Sequence, residues 1–109
     1  MGREAKATLR HFGERSVMNY LHQEIEAGPD DTVEVTLDGQ ANVMLLDSTN
    51  FDRYRRGEPF RYHGGLARSS PVHLRPPERG TWHVVVDLGG FAGHVRAGIQ
   101  VLEGVNEAR

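Results

Sequence analysis

From Tyr20 onward apolar and polar positions alternate along much of the chain, as in strands that bury one face. Tyr20–Ile25 predicts a first strand, closed by the turn signal Gly28-Pro29-Asp30-Asp31. Thr32–Leu37 follows with Val33, Val35 and Leu37 inward and Thr32, Glu34 and Thr36 outward. Asp38-Gly39 reads as a tight hairpin turn, with Ala41–Leu46 returning as the partner strand. Ser48, Thr49 and Asn50 offer capping oxygens for a single helical turn over Phe51–Arg56, and Gly57 stands where such a helix stops. Pro59–Tyr62 resumes an extended pattern that Gly64-Gly65 is expected to end, and Pro71–Leu74 is a short strand. Pro76-Pro77 with Gly80 marks a turn before Thr81–Leu88, the most strand-like segment, with Trp82, Val84, Val86 and Leu88 on one face. Gly89-Gly90 and Gly93 bracket a turn around Phe91. Val95, Ala97, Ile99 and Val101 then form the buried side of a last strand, His94–Leu102.

Roughly seven short antiparallel strands with closely spaced turns predict an all-β, jelly-roll-like β-sandwich carrying one short helical turn. Its expected core is Trp82, Val84, Val86, Val95, Ile99, Val33, Val35 and Leu45. Residues 1–17 read differently. Ala5, Leu9 and Phe12 form a weak helical stripe without a strong cap, and Gly13 interrupts it. They are expected to be an N-terminal extension, or a short helix on the domain edge, with the domain proper at residues 18–103 and a tail at 104–109.

Composition narrows the class. At 109 residues, 38% hydrophobic and 26% charged, the chain suits one folded domain and neither a disordered nor a membrane protein. Apolar runs such as Val84-Val85-Val86 are far too short to cross a bilayer, and no leader-like stretch follows Met1, so a cytoplasmic location is expected. Cysteine is absent, which removes disulfides and thiolate chemistry and suits a reducing compartment. Packing alone must then stabilise a small core, and dimerisation would help.

The net charge of -2 is unevenly spread. Residues 18–52 hold acids but no Lys or Arg, whereas Arg53, Arg55, Arg56, Arg61, Arg68, Arg75 and Arg79 crowd residues 53–81. These two stretches are expected to compensate each other across the fold.

The run Leu37-Asp38-Gly39-Gln40-Ala41-Asn42-Val43 resembles a small bacterial family of uncharacterised domains found alone or beside TIR domains. Asn50-Phe51 with Tyr54 and Gly57, Tyr62-His63-Gly64-Gly65, Ser70-Pro71-Val72, the run from Gly80 through Trp82 to Gly90, and Val95-Arg96-Ala97 carry the same resemblance. It covers about Met18 to Leu102 and implies a compact β-sandwich with no activity to transfer. The late Trp-containing strand followed by an amphipathic one is also similar to jelly-roll modules appended to secreted peptidases, which often bind rather than catalyse.

No catalytic motif is present. The six histidines lack His-x-His or His-Glu-x-x-His spacing, so no metal and no cofactor is expected. On alternation His83 and Asp87 face away from Trp82, and His73 is a candidate to share their surface. Ser16, Ser48, Ser69 and Ser70 lie outside any Gly-x-Ser-x-Gly, and Ser48 reads as a helix cap. The remaining candidate site is Arg53, Tyr54, Arg55, Arg56, Arg61 and Tyr62, where guanidinium forks and aromatic rings suit an anionic or nucleotide-like small ligand. The chain is therefore expected to be a non-enzymatic binding or sensor module for such a ligand or a protein partner. Neither a membrane nor nucleic acid fits as partner, given the overall acidity. The alternatives are a structural domain that homodimerises through a sheet face or edge, and a cryptic hydrolase or metalloenzyme.

Overall fold

A computed structural model describes residues 2–11, 20–89 and 93–104, the first of these stretches by its backbone alone. Among the described residues there are eight strands and one helix: β1 (Gly2–His11), β2 (Tyr20–Ala27), β3 (Thr32–Leu37), β4 (Ala41–Asp47), α1 (Ser48–Arg56), β5 (His63–Ala67), β6 (Val72–Leu74), β7 (Gly80–Asp87) and β8 (Gly93–Leu102).

The pairing is that of one long antiparallel ribbon rolled upon itself. β1 pairs with β8, β2 with β7, β3 with β6, and β4 with β5. The roll closes where β3 pairs with β8 and β4 with β7. Two four-stranded sheets result, β1-β8-β3-β6 and β2-β7-β4-β5, and this wrapping is a jelly roll. The expected fold class is therefore the observed one.

Alternation decides what lies between the sheets. Val33 and Val35 of β3, Val95, Ile99 and Val101 of β8, and Trp82, Val84 and Val86 of β7 meet Val43 and Leu45 of β4 there. The whole expected core is included. The Trp82 indole N–H remains satisfied in this setting, donating to the Glu78 carbonyl at 3.0 Å. A second, smaller cluster lies on the outer face of the β2-β7-β4-β5 sheet. Met44, Leu46 and Val85 point outward, and Phe51 and Tyr54 of α1 cover them. That is why β4 and β7 read as continuous apolar runs: both of their faces are buried.

Four expectations are corrected. Asp38-Gly39 does not make a hairpin, because β3 and β4 belong to different sheets. It is an arch, tied to β8 where the Arg96 N–H donates to Asp38 Oδ1 at 2.7 Å and the Asp38 N–H to the Arg96 carbonyl at 3.1 Å. The helix spans nine residues rather than one turn, and its N-cap is Asp47, whose Oδ1 accepts from the Asn50 N–H at 2.8 Å. Gly64-Gly65 does not end a strand but lies within β5, while Pro59–Tyr62 is irregular. A Cβ on Gly64 would stand 2.2 Å from the Val43 carbonyl oxygen, so the residue marks a close approach of two backbones. Finally, Ala5 and Leu9 of the weak helical stripe lie in β1, an extended segment, while Phe12 and Gly13 lie outside the described residues. The expected turn around Phe91 lies outside the described residues.

Candidate ligand-binding site

Helix α1 carries Arg53, Tyr54, Arg55 and Arg56, and specific hydrogen bonds fix both of its ends. Gly57 adopts φ 74, letting its N–H reach the Tyr54 carbonyl at 3.2 Å and the Glu58 N–H reach the Arg53 carbonyl at 2.9 Å. This is the paired bonding of a left-handed helix stop. The chain then doubles back across the sheet, and the Arg61 N–H is held by Asn50 Oδ1 at 2.8 Å.

The six candidate residues divide into two groups. Tyr54 is buried under the helix, where its hydroxyl donates to Asp87 Oδ2 at 2.5 Å. Asp87 also accepts from Asn42 Nδ2 at 2.8 Å and from the Gly89 N–H at 3.0 Å, which satisfies a buried carboxylate. Burial, and then the bond to Asp87, push the Tyr54 phenol far up, so it remains a donor. Arg53, Arg55 and Arg56 are exposed in the last turn of α1. Arg55 pairs with Asp52 at 2.6 Å and lies over the Phe51 ring, 5.2 Å from its centroid; Arg56 pairs with Glu58 at 3.6 Å. These two surface pairs are local to the helix and its cap, whereas Arg79 and Asp31, 2.9 Å apart, join the basic and acidic stretches across the fold.

Arg61 and Tyr62 come together elsewhere. Tyr62 is 47% exposed and stands between two hollows. One, of about 340 Å³, is lined by Asp47, Asn50, Arg61, His63 and Trp82 beside Tyr62. The other, of about 440 Å³, holds the aromatic row Tyr54, Phe60 and Tyr62 against Asn42, Glu58 and Asp87. Phe60 packs edge-on to Tyr54 at 5.3 Å and tilts against Tyr62 at 5.5 Å. Among the described residues the Arg61 guanidinium has no ion pair, unlike Arg55 and Arg56. A third hollow, about 460 Å³, opens beside Gln40, Leu66, Leu88 and His94, and among the described residues no carboxylate or guanidinium lines it.

His83 and Asp87 face away from Trp82, as alternation predicts, but His73 does not join them. His73 lies on β6 in the other sheet, 3.0 Å from Glu34, so it shares no surface with His83 and Asp87. His83 is buried beneath α1, with Nδ1 2.8 Å from His22 Nε2 and Nε2 2.9 Å from Ser48 Oγ. Burial holds both imidazoles below the usual histidine range, reinforced for His22 by its neighbour His83. Ser48 is not the expected cap: Asp47 takes that role, and the serine faces a histidine instead. Nothing local announces this contact, which joins residues 35 positions apart. Among the described residues no three His, Asp or Glu side chains converge as a metal site, and no helix is long and apolar enough to cross a membrane.

A rolled β-sandwich with open hollows around a helix-capped loop defines a class of domain rather than a reaction. The chain belongs to the DUF1883 family, a domain family of unknown function, whose model matches residues 18–104. Among curated proteins no relative matches significantly. Of solved structures, the chain is similar in fold to PliG from Aeromonas hydrophila, a periplasmic inhibitor of g-type lysozyme. The two share a TM-score of 0.61 at 14% identity, over 93% of this chain and 84% of PliG.

Proposed function

We propose that this domain is a non-enzymatic binding module whose ligand sits across Tyr62, in the two hollows that the ring separates. One observation carries the reading: an exposed aromatic ring has on one side an arginine with no ion pair among the described residues, and an aromatic row on the other. Arg61 offers a bidentate fork to phosphate or carboxylate. Asp47, in the same hollow, spends Oδ1 on the helix cap and leaves Oδ2 for a hydroxyl donor. A ligand with both an anionic group and hydroxyls, such as a nucleotide or sugar phosphate, meets both demands, and its ring stacks on Tyr62. The resemblance to domains found beside TIR domains fits an accessory binding role. So does PliG, which uses a similar framework to inhibit another protein.

The test is a thermal-shift screen of nucleotides and sugar phosphates. Stabilisation should fall with salt, since exposed attraction is screened within about 10 Å at 0.1 M. It should vanish in Arg61→Ala and weaken in Arg61→Lys, which keeps charge but loses the fork. Stabilisation indifferent to Arg61 and Tyr62, or absent for every anion, defeats the reading. A second reading, self-association, rests on β5, an edge strand carrying Leu66 at 53% exposure. Sedimentation separates the two, because a dimer through β5 dissociates on Leu66→Lys whereas anion binding survives it.

A further inference from the structure

On the flank of α1, apart from the Tyr62 hollows, three side chains form a hydrogen-bonded row that ligand binding leaves unused. Ser48 is the first residue of α1, His83 comes from β7 and His22 from β2. Oγ of Ser48 lies 2.9 Å from His83 Nε2, and His83 Nδ1 lies 2.8 Å from His22 Nε2. Phe51 holds both rings in place, stacked at 4.1 Å on His22 and 4.6 Å on His83 with interplanar angles of 15° and 7°. Capping does not account for the serine, because Asp47 caps α1. The other described serines are differently placed: Ser70 Oγ accepts from the Leu37 N–H, and no imidazole bonds to Ser69 or Ser70 among the described residues.

A serine hydroxyl becomes nucleophilic when a neighbouring base takes its proton, and the base works best when a third group holds its other nitrogen. His83 meets the first requirement and His22 the second. Ser48 itself is exposed, so an ester can reach it. We infer that Ser48 is a reactive serine that accepts an acyl group from activated esters, with His83 as general base and His22 as positioning residue. The Oγ of Ser48 forms a bond to the ester carbonyl carbon while its proton passes to His83 Nε2. The bond from that carbon to the leaving oxygen then breaks, and the leaving oxygen takes the proton from His83. Acyl-Ser48 and a free alcohol result, with atoms and charge balanced. Burial keeps His83 neutral at rest. Once it is protonated, Glu24 on β2, Asp47 at the N-cap and Asp52 within α1 favour the imidazolium, and Arg55 opposes it.

The experiment treats the full chain with p-nitrophenyl acetate and maps the adduct by mass spectrometry. The expected result is one acetyl group on Ser48, formed at least about 100-fold faster than on Ser69 or Ser70, the scale of general-base assistance. Ser48→Ala should abolish it and stay folded, since the residue is exposed and the cap is elsewhere. His83→Gln should slow labelling by a similar factor. Because His83 is buried and that variant risks unfolding, position 22 supplies an independent comparison. His22→Gln restores an acceptor for the His83 Nδ1–H and should keep most of the rate, whereas His22→Phe keeps the ring stack but removes that acceptor and should lose it, with a cooperative melt confirming that the variant is folded. Equal labelling of Ser48, Ser69 and Ser70, an adduct confined to Lys6 or the α-amino group, or labelling unchanged in His22→Phe would overturn the inference.

Discussion

Trp82 illustrates what one residue contributes and how much of it is visible in advance. Alternation along β7 placed it on the inner face, and it is only 5% exposed there, beside Val84 and Val86 in the same core. Trp82→Ala should therefore cost about 3–5 kcal/mol in denaturant unfolding, as for other buried aromatics; a loss under about 1 kcal/mol would contradict the assignment. The titrating residues were less legible. His22 and His83 both read as ordinary sheet histidines, because their contact depends on the β2–β7 register and on α1 folding over it. Since the fold lowers both imidazoles, the unfolded chain binds more protons just below its own value of 6.5. The stability owed to the neutral pair is therefore complete above pH 6.5 and lost as pH falls from there through the folded values. Asp31 is likewise lowered, first by the Gly104 N–H, then by those of Gly28 and the Arg79 guanidinium. Its contribution is present above the ordinary value of 3.8 and disappears only at more acid pH. Urea midpoints across pH should thus decline in two separated steps, and replacing His22 with Phe should shrink the first step alone.

At the scale of elements, local signals located the strands well and their connections poorly. Thr32–Leu37 forms a strand with the boundaries that alternation predicts. Asp38-Gly39 misled because a turn signal states that the chain reverses, not that the flanking strands hydrogen-bond to each other. In this fold Asp38 is bonded to Arg96, far along the chain. Gly64-Gly65 misled for a related reason. A glycine pair reads as a break, yet here it lets β5 approach Val43, a contact with no counterpart in local sequence. Gly64→Ala must displace that carbonyl and also hold a side chain at φ 113, so it should destabilise by about 1–3 kcal/mol or more. Asp47→Ala should cost about 0.5–2 kcal/mol, the worth of an N-cap. A Ser48→Ala control should cost less, because that serine does not cap the helix. If the two substitutions cost the same, the capping assignment is wrong.

For the whole molecule, the rolled ribbon explains both what the family match covers and what it leaves outside. Residues 18–104 contain β2 to β8 and, among the residues whose side chains are described, the two hydrophobic clusters. β1 lies before that region and occupies the free side of β8 over ten paired residues, from Gly2 opposite Leu102 to His11 opposite Gly93. Residues 1–17 can be an extension of the domain and still protect it. A chain beginning at Met18 should keep a cooperative melt, because the inter-sheet contacts among β2 to β8 remain. It should also expose the backbone N–H and C=O groups of β8 along an edge, and such edges recruit strands from other copies. The expected outcome is a monomer at high dilution that associates as concentration rises, seen by sedimentation velocity, with a melting temperature close to that of the full chain. A truncated chain that has lost its cooperative melt would make β1 integral to the fold. One that stays monomeric at every concentration would show that the β8 edge needs no cover.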